Sequence, residues 1–292
     1  EAGPAGMAAF RLAIKGLKGG HSGMDINLGR GNSNKLLFRF LKTYAKELGL
    51  RIANILGGSL RNAIPRESFA TVVLPAENAE KLQAAVKEAE AIFQAELSAK
   101  EPTLSVSAEA TEMPSFIIDS CSQFRITNAI LACPNGPVRM IDSMPGTVET
   151  SNNLAIVQSK DGKIIVKSLL RSSVETAKDA LAQSIRAVFE LAEADEINFE
   201  GGYPGWKPNP DSAILNEMQE IYEKMYGTRP AIMAIHAGLE CGILGSKYPN
   251  WDMISFGPTL CSPHSPDERV NIPSVVKFWD YLKETLKNIP MK

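Results

Sequence analysis

Apolar residues recur along the chain with two periods. Residues 8–16 alternate, with Phe10, Leu12 and Ile14 on one face and Arg11 and Lys15 on the other, which predicts a half-buried strand. Leu37, Phe40, Leu41, Tyr44 and Leu48 lie at helical spacing, so a helix is expected from about Asn34, with Gly49 as its stop. A strand at 69–74, a helix at 78–97 and a strand at 104–110 follow, and then a short helix near 122–132 that Pro134, Gly136 and Pro137 end. Strands 153–158 and 163–170 read as a hairpin around Asp161-Gly162. Ser172 with Glu175 reads as a capping box for a helix at 173–193, and INFE (197–200) as the next strand. Strand–helix–strand thus occurs at 69–110 and again at 163–200. The expected fold is α+β, an antiparallel sheet with helices on one face and ferredoxin-like units repeated.

The pattern changes at GGYPGWKPNP (201–210), the best boundary candidate. Beyond it come a helix at 211–226, a continuous apolar run at 231–235, a Gly-rich turn with a short helix at 236–244, a second apolar run at 251–257 and a last helix at 273–288. Short continuous apolar runs between helices predict part of a parallel, doubly covered α/β sheet. Two such strands cannot stand alone, so this half reads as a piece of a larger domain.

Composition narrows the function. The 292 residues carry 31 Lys+Arg against 33 Asp+Glu, a net charge of −2, which excludes a polybasic nucleic-acid binder. No apolar run approaches the ~18 residues needed to span a bilayer, and the first residues have no secretory-signal pattern. The chain opens on Glu1 rather than Met, which reads as a cut end. Cys121, Cys133, Cys241 and Cys261 form no C-x-x-C pair and are expected to be buried thiols of a reducing compartment. There is no P-loop, no dinucleotide fingerprint and no G-x-S-x-G elbow.

The candidate chemistry rests on three histidines and a few partners. His264 leaves an apolar run between Pro263 and Pro266, and two readings are open for it: a metal ligand, or a loop histidine held by a nearby carboxylate. His21 lies in GGHSG, either as a mobile donor to a substrate oxygen or as part of an ordinary flexible loop. His236 opens HAGLECGIL as a pocket wall or a packed strand end, and Gly238 follows at a helix start suited to an anion. Arg171 ends the strand VKSLLRSS, where its guanidinium suits a carboxylate ligand or a salt bridge within the sheet. Asn62, in SLRNAIPRE, is a substrate amide or a turn residue.

GLKGGHSGMDI, GRGNSNKLL, GGSLRNAIPRE, YPGWKPN, HAGLECGIL and ISFGPTLCSPHSPDERV together resemble the aminoacyl-histidine dipeptidases, the bacterial cytosolic non-specific dipeptidases. The resemblance implies a di-zinc exopeptidase that hydrolyses Xaa-His and other dipeptides, cytoplasmic and homodimeric, with neither nucleic acid nor membrane as partner. It makes 1–202 a lid and dimerisation domain and 203–292 the C-terminal segment of a partial α/β zinc-exopeptidase catalytic domain. It makes His264 a zinc ligand, and His21 a catalytic residue that reaches a partner subunit's site to stabilise the oxyanion. Asn62, Arg171 and Gly238 become substrate-binding residues. The family's other metal ligands and its general base have no counterpart in this sequence, so the zinc site is expected to be incomplete here and the chain inactive alone. Two rivals remain: an amidohydrolase of N-acyl amino acids, and a non-catalytic dimerisation or peptide-binding module.

Overall fold

The computed structural model describes residues 6–234, 240–261 and 268–289. The chain divides into two compact units, the first running to Gly202 and the second starting at Tyr203.

The first unit holds β1 (Met7–Lys15), β2 (Gly20–His21), α1 (Ser33–Leu48), β3 (Arg51–Gly57), β4 (Ala63–Ile64), β5 (Ser68–Pro75), α2 (Ala79–Leu97), β6 (Ser105–Ala110), α3 (Ser120–Ala132), β7 (Gly136–Met140), β8 (Val148–Lys160), β9 (Lys163–Ser172) and α4 (Glu175–Leu191). Seven strands form one sheet in the order β6-β1-β5-β3-β8-β7, with β9 also on β8, and every pairing is antiparallel. β1-α1-β3-β5-α2-β6 is a ferredoxin-like unit. One apolar cluster collects Leu37, Phe38, Phe40 and Leu41 of α1, Leu82 and Phe93 of α2, Ile130 of α3, and Leu181 and Ile185 of α4. The same cluster takes Leu12, Ile14, Val72 and Leu74 from the strands, so the helices share one face, as expected. Asn32 caps α1 by accepting from Lys35 N, and Gly49 ends it at φ 64°.

The strands that periodicity missed have identifiable causes. In β3, Ile52 and Ile55 enter the same core although they are three residues apart, because the register shifts between Ile52 and Asn54. A period-2 reading puts them on opposite faces. β8 has a second shift between Leu154 and Ile156, and Leu154 and Val157 again share one face. It also starts five residues before the expected Asn153, because the polar Thr150, Ser151, Asn152 and Asn153 are all buried. β7 holds Pro137 and lies at the sheet edge, where proline is tolerated.

β3 and β7 share one edge of β8, pairing with it at 157–158 and 148–152. Asparagines serve the backbone between them. Asn135 Oδ1 accepts from Leu154 N at 2.9 Å, and Asn32 Nδ2 donates to Leu154 O at 3.0 Å. Asn34 Nδ2 donates to Ala155 O at 3.2 Å, while Ser68 Oγ donates to Asn34 Oδ1 at 2.7 Å. The N-terminus of α1 is thereby fixed to the bulge. Gly58, at φ +70°, fits beneath it, since a Cβ there would lie 1.8 Å from Ala155 O.

Four expectations are corrected. Residues 197–200 are not a strand, so the second strand–helix–strand repeat lacks its last member. Phe199 instead lies under the Arg186 guanidinium at 5.1 Å, and the Glu200 carboxylate lies 3.6 Å from Arg61. The capping box at Ser172 is absent; α4 starts at Glu175, and Ser172 Oγ accepts from Val174 N at 3.0 Å, an earlier turn. GGHSG, read above as loop, contains β2, paired to β4 through Gly20↔Ile64 and His21↔Ala63. The cysteines are free, but only Cys133 is buried, Cys121 and Cys261 being exposed.

The second unit holds α5 (Ala213–Tyr226), α6 (Glu240–Lys247), β10 (Leu260–Cys261), β11 (Arg269–Val270) and α7 (Ile272–Lys287). Met218, Ile221 and Tyr281 form its small core, and Tyr281 Oη donates to Met218 O at 2.6 Å. The expected parallel strands do not form among the described residues: 231–234 and 251–257 are unpaired, and β10–β11 is a two-residue antiparallel ladder. A strand needs a neighbour to pair with, and among the described residues none lies beside these runs.

Candidate functional site

Three of the residues singled out from sequence meet in the first unit. His21 ends β2, Asn62 lies in the turn before β4, and Arg171 sits near the end of β9 opposite Ser151 of β8. Between them runs the turn Ser22-Gly23-Met24. Ser22 N donates to Asn62 O at 2.9 Å, and Ser22 Oγ accepts from Arg171 Nε at 3.3 Å. Gly23 is held so close that a Cβ there would lie 3.2 Å from His21 Cε1 and 3.5 Å from Arg171 Nε.

The histidine ring is oriented by its own loop. Its Nδ1 accepts from Gly23 N and Met24 N, both at 3.2 Å. A nitrogen that accepts cannot carry the proton, so the neutral ring carries it on Nε2, a donor. His21 N donates to Asp25 Oδ2 at 2.8 Å, and Arg30 lies 3.4 Å from the same carboxylate. Ile26, Ile64 and Val148 form a small apolar cluster that ties the loop and β4 to β8.

Arg171 is half-buried, and burial pushes its guanidinium below its ordinary range. The salt bridge within the sheet that sequence allowed is not made: among the described residues no carboxylate pairs with Arg171. Asn62 is exposed, and its backbone carbonyl accepts from Ser22 N in the turn that Arg171 also contacts. A partly desolvated cation and an N–H donor at one turn suit an anionic ligand with a second polar group.

Two residues that sequence reasoning missed build this arrangement. Asn153, fully buried in β8, donates through Nδ2 to Arg61 O at 3.0 Å and Ala63 O at 2.8 Å, holding both flanks of Asn62. Glu101, also fully buried, accepts from Lys18 N at 2.7 Å and Gly31 N at 2.8 Å. A polar residue inside an apolar run is a signal for Asn153; nothing local marks Glu101.

His236, Gly238 and His264 lie outside the described residues. Among the described residues no three His, Cys, Asp or Glu side chains gather in a way that could hold a metal ion. The described part therefore does not build a metal centre. No helix among them is long and apolar enough to cross a membrane.

The first unit is thus an antiparallel α+β sheet that brings His21, Asn62 and Arg171 to one turn, and the second is smaller and mainly helical. Residues 12–101 match the peptidase dimerisation domain family. Over its whole length the chain is 42% identical to the cytosol non-specific dipeptidase of Escherichia coli (strain K12), of which it covers 60%. A crystal structure of aminoacylhistidine dipeptidase from Vibrio alginolyticus is similar throughout, with a TM-score of 0.93 at 46% identity, covering 100% of this chain and 59% of that one. A 126-residue stretch, 43% of this chain, is 25% identical to a succinyl-diaminopimelate desuccinylase from Sulfurovum sp. (strain NBC37-1), 34% of that protein. The resemblance to the aminoacyl-histidine dipeptidases is borne out along the whole chain, and the chain spans about 60% of the length of the first relatives it matches.

Proposed function

We propose that this chain serves in metal-dependent hydrolysis of dipeptides, Xaa-His among them, in the cytoplasm and as a homodimer. Residues 1–202 would be the lid and dimerisation domain, and 203–292 a segment of the catalytic domain. The observation that carries this reading is Arg171: a half-buried cation without a carboxylate partner among the described residues, beside an oriented histidine.

In this reading the guanidinium receives the free C-terminal carboxylate of the dipeptide, and the Asn62 amide donates a second hydrogen bond to it. A grip on that carboxylate fixes peptide length, because the scissile carbonyl lies one residue away. His21 donates from Nε2 to the oxygen that gains charge as the carbonyl becomes tetrahedral, at the site of the partner subunit. The neutral tautomer donates without acting as a base, since Nδ1 is already accepting. Gly238 would add a backbone N–H to the substrate, and His264 would be this chain's ligand to a zinc ion. Zinc, when bound, would activate the attacking water; every role assigned above falls to the chain's own groups.

The test compares Ala-His with its C-terminal amide on the natural full-length protein. Loss of a charge-assisted pair predicts kcat/KM lower for the amide by about 10–100-fold, the equivalent of about 1.5–3 kcal/mol. Arg171→Met should erase that discrimination. Equal turnover of both substrates by the unmodified protein would reject the carboxylate grip.

A further inference from the structure

We infer that Glu101 is a positioning residue for His21, holding the stems of the loop that presents the imidazole; this rests on the reading of His21 given above. The Glu101 side chain is fully buried, and among the described residues no cation pairs with it. Each carboxylate oxygen instead accepts one backbone N–H, Lys18 N at Oε2 (2.7 Å) and Gly31 N at Oε1 (2.8 Å). These two residues bracket the loop containing His21, Asp25 and Arg30. A buried carboxylate is costly to keep unless its geometry is used, and here it satisfies two donors that β-pairing leaves unserved.

The surroundings are shaped for this clamp. Gly31 packs so closely that a Cβ would lie 2.5 Å from Leu17 Cδ2 and 3.2 Å from Leu97 Cδ1. Gly16, at φ +77°, lies against the backbone of Thr103, whose Oγ1 donates to Gly16 O at 2.6 Å. The 101–104 turn therefore grips the loop at Gly16, Lys18 and Gly31. His21 is three residues from the Lys18 anchor, and Arg30, next to the Gly31 anchor, donates to Gly19 O and faces Asp25. Because Asp25 also accepts from His21 N, a shift of either stem is carried to the ring.

The test is Glu101→Gln in the isotopically labelled 292-residue chain, read by imidazole ¹⁵N shifts of His21 and by amide exchange. The carboxamide presents N–H₂ to one backbone donor and breaks one of the two bonds. Exchange at Lys18 and Gly31 should rise at least tenfold, with Val72 and Leu74 still protected. The His21 signals should change from an Nε2–H tautomer to an average of both. Glu101→Asp, which keeps the charge on a shorter stem, gives the same readout where the Gln variant does not fold. Faster exchange at Lys18 and Gly31 with an unchanged His21 signature in whichever variant folds would overturn the inference and leave Glu101 a stem clamp only. In the natural full-length protein the variant should lower kcat at least tenfold with KM unchanged. A loosened ring with unchanged kcat upholds the clamp and rejects the catalytic role of His21, so the two failures are distinguishable.

Discussion

Replacing Arg171 with Met separates ligand binding from stability. The substitution keeps an apolar stem and removes the cation. In the folded chain the guanidinium is half-buried, donates to Ser22 Oγ at 3.3 Å and pairs with no carboxylate among the described residues. The lost hydrogen bond is worth about 0.5–1.5 kcal/mol. Removing an uncompensated, partly desolvated charge returns about 2 kcal/mol, less than for a fully buried ion because part of the group meets solvent. The balance favours the variant by about 1 kcal/mol, which raises Tm by about 2–4 °C for a unit of this size. Ligand should act in the opposite sense. A dipeptide at ten times its Kd stabilises the unmodified chain by about 1.4 kcal/mol. It should leave the Arg171→Met chain unmoved, as should the dipeptide amide in both. Calorimetric melts with and without peptide measure all of these. A variant destabilised by 1 kcal/mol or more on the same scale would make Arg171 a structural residue. A peptide shift that survives the substitution would place the carboxylate elsewhere.

Other substitutions test separate parts of the molecule. His21→Ala in the natural full-length protein should lower kcat by roughly 10²–10³, the scale of one oxyanion donor, and an unchanged kcat rejects that role. Cys121 and Cys261 should react with a thiol reagent in the folded chain at pH 8, whereas Cys133 should react only on unfolding. Burial pushes the Cys133 thiol up to about 11 from the ordinary 9.0, against the opposing pull of Lys35. The stability held in that neutral thiol is thus complete below pH 9 and is lost as pH rises through about 11, roughly 2–3 kcal/mol in all. Cys133→Ala should flatten the alkaline decline in urea titrations, and an identical decline would count against the linkage. Gly58→Ala should cost about 2–4 kcal/mol in urea unfolding, because its Cβ would meet Ala155 O at 1.8 Å. Gly29→Ala, at a similar φ but with open space around it, should cost only about 1 kcal/mol, so equal losses would show that the bulge contact is irrelevant.

Much of the first unit was legible because its elements carry strong periods. α1, α2 and β1 follow from single apolar stripes, and the Asp161-Gly162 hairpin from its turn, with both residues at positive φ. β3 was invisible because its bulge carries Ile52 and Ile55 onto one face. The strands expected from the runs at 231–235 and 251–257 are absent among the described residues for another reason: apolar runs state a demand for burial, and neighbouring strands must meet it. In the site, His21, Asn62 and Arg171 were nameable one by one, but their convergence across 150 residues was not. The GRGNSN segment, which entered only as one motif of the resemblance, caps α1 and serves the β8 bulge.

That last assignment ties the fold to the candidate site. β8 is the strand against which all three of its residues are registered. Asn62 is held through Asn153, Arg171 stands opposite Ser151, and the Ile26–Ile64–Val148 cluster ties the loop of His21 and its partner strand β4 to the start of β8. Because side chains alternate, a one-residue slip of β9 along β8 would send Arg171 to the opposite face of the sheet. Two features oppose such a slip: the turn at Asp161-Gly162, and the asparagines that fix Leu154 and Ala155 at the bulge. The buried polar residues of α1 and β8 are therefore not incidental to the core. They set the register that brings a cation from residue 171 beside a histidine from residue 21, and without that register neither residue has a partner to act with.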